Sequence, residues 1–460
     1  MTVETWRREL TAAASDSAPA RLSPSLIVAA GIFGLTLLGF ALRLIFAAGP
    51  LWIDEIWSIQ NLAPLTRPWQ VFWGVSHDNN HFLNSLWLYF VSEPAANNLA
   101  LRAPALLLGA ATIPAMAALG ARHSRAAALA TAALAAFSFF FITYGAVARG
   151  YAGETLALVI GFMALERAID EPAAHARLVL AGAAGVGALW HLGMAPAVAL
   201  YALIAFLEQR RRLGTLASAA TATFRIFWPS LLAILPAAAF VAAGYFITGR
   251  FTIGKVDPYD SFRALKAMAL VVFSTLGLPM STPFLLVAAA TPLALVAALR
   301  SKIVLPERRI AYAVMLLAAP AAVFLLRPEN TDVPRYYLVC GLFLVLLAGE
   351  AFGSLWRAGT WRRGVAAAAL VAVLIGDAVQ FARFEASLDG AWPNALAAIA
   401  NSGERHVATT FDSGFDKFVA YFDATHAARL DLIPERQWCA ARPDWLVTDL
   451  TRDPMPATMT

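Results

Sequence analysis

Long apolar runs separated by short polar stretches dominate the chain. Runs of about eighteen residues or more match the length of a bilayer-spanning helix. Such runs fall near 26–48, 99–120, 125–145, 150–168, 177–190, 191–207, 225–247, 281–299, 308–326, 334–353 and 364–381, which predicts eleven transmembrane helices. The pair 177–190 and 191–207 is short and reads as a hairpin that turns near mid-membrane at Trp190-His191. Two further apolar stretches, 81–93 and 261–278, are read as amphipathic helices lying on the exterior interface. Past Phe381 the pattern changes. Residues 383–460 are charged and proline-containing, with helical signals at 393–400 and 415–424 and strand signals at 406–411 and 445–447.

Composition fits this pattern. Of 460 residues, 60% are apolar and 14% charged, against about half and about a quarter in soluble domains. The chain is therefore read as an α-helical polytopic membrane protein. A cytoplasmic segment (1–25) leads into a membrane domain (26–382) with a large first exterior loop (49–98), and a small soluble α/β tail (383–460) follows. Cys340 and Cys439 are the only cysteines, too few for a disulfide framework or a cysteine zinc site. The basic residues form no face suited to nucleic acid. With the N-terminus inside, the cytoplasmic segments carry about twice as many Lys and Arg as the exterior loops, as the positive-inside rule requires. That orientation places the first loop and the tail outside the cytoplasmic membrane, and the tail is not expected to be the chemical centre.

The first exterior loop holds the polar residues that most need explaining. Asp54 and Glu55 follow closely on the first span. Adjacent residues on a helix diverge by about 100°, so one carboxylate can face a cavity while the other pairs elsewhere or caps the helix. His77 and His81 are spaced i, i+4, as metal ligands on one helix face often are, with Asp78 between them. Asn79-Asn80 argues instead for a turn, with the histidines hydrogen-bonding a sugar or loop backbone. Arg149 beside Tyr151 and Arg335 beside Tyr336 sit at the exterior ends of spans, where an arginine snorkels as an anchor or meets an anion. Lys255 is a further anion candidate, and Arg43 either snorkels or lines the same cavity. His191 reads as a structural histidine. Together the two Arg-Tyr sites and the carboxylates suggest a cavity where an anionic lipid headgroup meets a base.

These residues resemble the GT-C superfamily of polyprenyl-phosphate-sugar-dependent glycosyltransferases. That group includes the protein mannosyltransferases and the bacterial transferase that places aminoarabinose on lipid A. The resemblance rests on Leu42-Arg43 with Leu51-Trp-Ile-Asp-Glu55, on His77-Asp-Asn-Asn-His81, and on Leu101-Arg-Ala-Pro-Ala-Leu106. Gly120-Ala-Arg-His-Ser-Arg125, Ala148-Arg-Gly-Tyr-Ala152 and Pro334-Arg-Tyr336 follow in the same order. Gly150 stands where these relatives usually have proline, and Phe82 interrupts a His-Pro-Pro pattern.

The resemblance implies a sugar carried on a polyprenyl phosphate and an acceptor hydroxyl on an envelope lipid, glycan or protein, with inversion at the anomeric carbon. It assigns Asp54 as general base, with Glu55 as a second candidate that would orient the acceptor, and Arg149, Tyr151, Arg335 and Tyr336 at the departing phosphate. Some relatives use a divalent metal, for which Asp54, His77 and His81 would be the ligands. The alternative class is a lipid or solute transporter using the same charges without covalent chemistry. No inverted repeat is visible to favour it.

Overall fold

The structure is a computed structural model that describes residues 24–92, 97–171, 173–252, 258–388, 392–409 and 414–447. It is a helical bundle with a small α/β unit at its C-terminal end. Every segment expected to cross the membrane is helical, but length and apolarity do not reach the same number of crossings. Among the described residues, six helices are long and apolar enough to span: Ser25–Ala48, Asn98–Ala121, Leu216–Thr248, Pro306–Leu326, Pro334–Arg357 and the one beginning at Thr360. The others fall short for local reasons. The 125–145 segment breaks at Ser138 into Arg125–Phe137 and Phe139–Tyr144. Tyr151–Asp170 carries Glu154, Glu166, Arg167 and Asp170. Ala174–Trp190 and Phe284–Arg300 are 17 residues each, and Met194–Leu213 ends in Arg210, Arg211 and Arg212.

The bundle centre is built from small side chains that let helices approach closely, as membrane helix packing requires. Arg125–Phe137 is alanine-rich, and nine of its thirteen residues are buried. A Cβ on Gly353 would press on Ala127 at 2.7 Å, and Gly349 packs directly on Thr131. The two interfacial stretches fold as Phe82–Val91 and Ser261–Thr275. The second is started by Asp260, whose carboxylate accepts the Phe262 and Arg263 backbone N–H groups at 2.8 and 3.0 Å, a standard N-cap.

Arginines buried in this apolar surrounding are each met by several acceptors. Arg43 does not line the polar cavity described below. Its guanidinium turns into the bundle and donates to the carbonyls of Gly39, Ala135, Ala136 and Phe141 at 2.9–3.4 Å. The break at Ser138 frees those last carbonyls of the Arg125–Phe137 helix from intrahelical partners. Gly109 and Gly145 leave room for the head, since a Cβ on either would crowd Arg43 Nε at 3.1 and 2.8 Å. At the far end of Tyr151–Asp170, Arg308 is held between Glu166 at 2.6 Å and Glu350.

Glu55 is the matching acid on the other side, and it does not line the polar cavity. It is fully buried and clamps Arg102 in a two-pronged pair, with Nε to Oε1 at 2.8 Å and Nη2 to Oε2 at 2.6 Å. Its remaining lone pairs accept the Ala148 N–H at 2.6 Å and the Trp52 N–H at 2.7 Å. Arg102 spends its other N–H groups on the carbonyls of Ala47, Gly49 and Pro50. Three chain segments are thus tied at one point.

The C-terminal unit is a three-stranded parallel sheet with His406–Thr409 between Asp431–Leu432 and Trp445–Val447. Helices Trp392–Ser402 and Phe415–His426 pack on it through Leu396, Ile399, Phe415, Val419 and Phe422. Its helices and two of its strands follow the sequence pattern. The strand Asp431–Leu432 was not legible because two residues carry no periodicity, and Phe411 lies outside the described residues.

Breaking the buried pair isolates one ion without solvent, at a cost of about 3–5 kcal/mol. Arg102→Ala is therefore expected to lower thermal stability in detergent sharply, as read by a fluorescence-detected melting curve. Arg102→Lys should recover little, because an ammonium cannot make the planar two-pronged contact.

Candidate active site

The first loop builds its site from a short helix, Ile53–Leu62, whose orientation is set by the Glu55–Arg102 pair. With Glu55 locked toward the bundle, the 100° offset turns Asp54 toward a cavity of about 710 Å³. Its walls come from five places in the bundle: this helix, residues 77–81, the turn and helix start at 149–151, residues 191–193, and the segment 330–336, with Gly414 and Lys417 of the C-terminal unit closing one side.

Asp54 meets both predicted arginines. Its Oδ2 lies 2.7 Å from Arg335 Nη1 and 3.7 Å from Arg149 Nη1. Arg149 is held in place by donating to the Asp54 carbonyl at 3.1 Å and to the Asn79 side-chain oxygen. Asn79 in turn donates to the Asp54 carbonyl at 3.0 Å and to Ser58 Oγ at 2.9 Å. Each arginine also rides on its neighbouring tyrosine: Arg149 over Tyr151 and Arg335 over Tyr336, both with 5.5 Å from guanidinium carbon to ring centre. Asn79 was read only as a turn former. Nothing in a single sequence marks a turn asparagine as the brace of a distant arginine.

Gly150 explains one departure from the family pattern. A Cβ there would collide with the Trp190 carbonyl, and a Cβ on Gly153 with the Trp190 ring. Proline does not fit at 150. Closing Trp190 onto this helix start brings His191 to the cavity, where its ring stacks on His81 at 4.8 Å and lies 5.0 Å from Tyr151. His191 Nδ1 sits 2.9 Å from the buried Glu154 and 2.9 Å from the Gly193 N–H. This polar environment was missed because Glu154 and His191 are 37 residues apart in sequence.

The helical spacing of His77 and His81 is not realised. The helix begins at Phe82 with His81 as its cap residue, and 77–80 forms a turn closed by Asn80 N–H to the His77 carbonyl at 3.0 Å. His77 pairs with Asp78 at 2.7 Å and packs edge-on against Trp57. The adjacent backbone is stitched to the loop after Leu216–Thr248: Asp78 N–H donates to the Thr252 carbonyl at 3.0 Å, and Thr252 N–H to the Ser76 carbonyl at 2.9 Å. Lys255, on that loop, lies outside the described residues. Among the described residues, no three His, Cys, Asp or Glu side chains are grouped to hold a metal ion. Asp54, His77 and His81 therefore do not fit as a ligand set, because Asp54 already faces two guanidinium groups.

No protein-family model and no curated protein sequence matches the chain. Among solved structures, the fold is similar to that of the Archaeoglobus fulgidus oligosaccharyltransferase in its apo form, with a TM-score of 0.50 and 13% sequence identity. The match covers 88% of this chain and 64% of that one, so this chain spans less than two thirds of that protein's length. The architecture is that of a polytopic helical membrane protein.

Burial, with Arg149, His191 and Arg335 close by, holds the His81 imidazole well below its ordinary value of 6.5. The folded protein thus keeps His81 neutral while the unfolded chain protonates it near 6.5. Stability from this group is complete above that value and falls as pH drops below it. His81→Asn is expected to flatten the acid side of a melting-temperature profile taken from about pH 5 to pH 8.

Proposed function

We propose that this chain is a membrane glycosyltransferase that moves a sugar from a polyprenyl-phosphate carrier to an acceptor hydroxyl. The observation that carries the reading is the convergence of one carboxylate, Asp54, with Arg149 and Arg335 in a single cavity of a GT-C-type fold. An alcohol is a poor nucleophile, so a carboxylate placed at its proton serves as general base. The departing phosphate gains negative charge, which fixed guanidinium groups stabilise.

In this mechanism the acceptor oxygen attacks the anomeric carbon from the face opposite the phosphate. The carbon–oxygen bond to the phosphate breaks with its electron pair, and the acceptor proton passes to Asp54. Arg149, anchored by Asn79, holds the phosphate, and Arg335 shifts its contact from Asp54 to the same group. Tyr151 and Tyr336 pack beneath the two guanidinium groups. No step runs through a metal. The positive-inside bias of the loops supports a cavity on the exterior side of the cytoplasmic membrane, with the C-terminal unit on the same side. The acceptor is then an envelope lipid, glycan or protein.

The test is release of polyprenyl phosphate from a polyprenyl-phosphate sugar by purified full-length protein. Asp54→Asn keeps shape but removes the base, so turnover should drop by about 10²–10⁴-fold with donor binding little changed. Substrate translocation without release would sink the transferase reading.

Arg149→Ala should weaken both donor affinity and turnover, because its contact begins in the bound donor and strengthens as the bond breaks. Arg149→Lys should restore only part, since the planar fork is lost. Donor binding measured beside single-turnover rates separates the two effects, and full activity in Arg149→Ala would remove it from the phosphate site.

A further inference from the structure

The C-terminal unit does more than sit beside the bundle. Trp392 Nε1 donates to the Leu51 carbonyl at 3.0 Å, and Gln60 Nε2 donates to the Lys417 carbonyl at 3.1 Å. These two bonds grip the Asp54 helix just before its start and in its last turn. Gly414, with φ at +91°, is packed directly against Ile53, so the chain can turn tightly at the cavity wall. That geometry delivers Lys417 to the cavity, with its ammonium 4.7 Å from the centre of the Trp57 ring.

Lys417 differs from the other charges around the cavity. Asp54 is paired with Arg335, Asp78 with His77, and Asp332 lies 4.0 Å from Arg263. Among the described residues, Lys417 is ion-paired only with its neighbour Asp416, whose side chain is 65% exposed, at 3.8 Å. A solvated contact of that length contributes little. Trp57 steadies the ammonium by a cation–π contact of about 0.5–1 kcal/mol without using its three N–H donors. The result is a positioned cation with donor capacity left over among the described residues, carried by the polar unit.

We infer that Lys417 forms a second anion subsite, which takes a phosphate or carboxylate on the acceptor. The inference rests on the transferase reading, which gives the first anion site to Arg149 and Arg335. The carrier's prenyl chain must run into the membrane, so its phosphate belongs with Arg149 and Arg335, which sit at the ends of bundle helices. A group arriving from water meets the wall supplied by the soluble unit. An ammonium binds such a group as a point charge with charge-assisted hydrogen bonds.

The experiment uses full-length protein in nanodiscs saturated with undecaprenyl phosphate, with inorganic phosphate as probe and ³¹P line broadening as readout. The loaded wild type should bind phosphate, and Lys417→Met should bind it about tenfold more weakly. Lys417→Arg should stay near wild type, which guards against a folding defect, and acetate should compete. Equal binding in Lys417→Met, or none in the loaded wild type, overturns the subsite. Failure of undecaprenyl phosphate itself to bind counts against the donor reading instead. The Lys417→Met comparison would then still decide whether phosphate binds through this residue.

Discussion

The buried pair between Glu55 and Arg102 is the contact on which the site depends. Neither ion has solvent, and each is fully hydrogen-bonded, which is the condition under which buried charges are tolerated. The pair joins the end of the first long helix, the start of the Ile53–Leu62 helix and the backbone at Ala148. Because it fixes the rotation of that short helix, it decides that Asp54 and not Glu55 faces the cavity. Because it also holds Ala148, it places Arg149 one residue further on.

From that point the site is assembled by contacts with low tolerance for size. Gly150 and Gly153 admit Trp190, Trp190 brings His191 and Leu192 to the cavity, and Asn79 braces Arg149. The segment at 334–336 closes the arrangement through Arg335, which reaches Asp54 across 281 residues of chain. Rigid support of this kind holds the Asp54 carboxylate and the two guanidinium groups in fixed relation.

The C-terminal unit enters the same logic from outside the bundle. Its sheet has its own apolar core, yet its contacts with Leu51 and Gln60 make it a wall of the cavity. Residues of the bundle and of this soluble unit therefore meet across one cavity.

The sequence alone determined the helical membrane class, because apolar run length is a local property that the bilayer reads directly. It also determined that Asp54, Arg149 and Arg335 needed partners, since charge near apolar spans is costly wherever it occurs. Helical divergence separated the two adjacent carboxylates but gave no way to say which one faced the cavity. That choice required Arg102, which is 47 residues away. The His77–His81 spacing suggested one helix face, and the turn at 77–80 removed it because its backbone bonds go to Thr252. Arg43, Asn79, Glu154, His191 and Lys417 owe their places to contacts between distant segments. Those contacts exist only once the bundle has packed, so tertiary structure alone decided them.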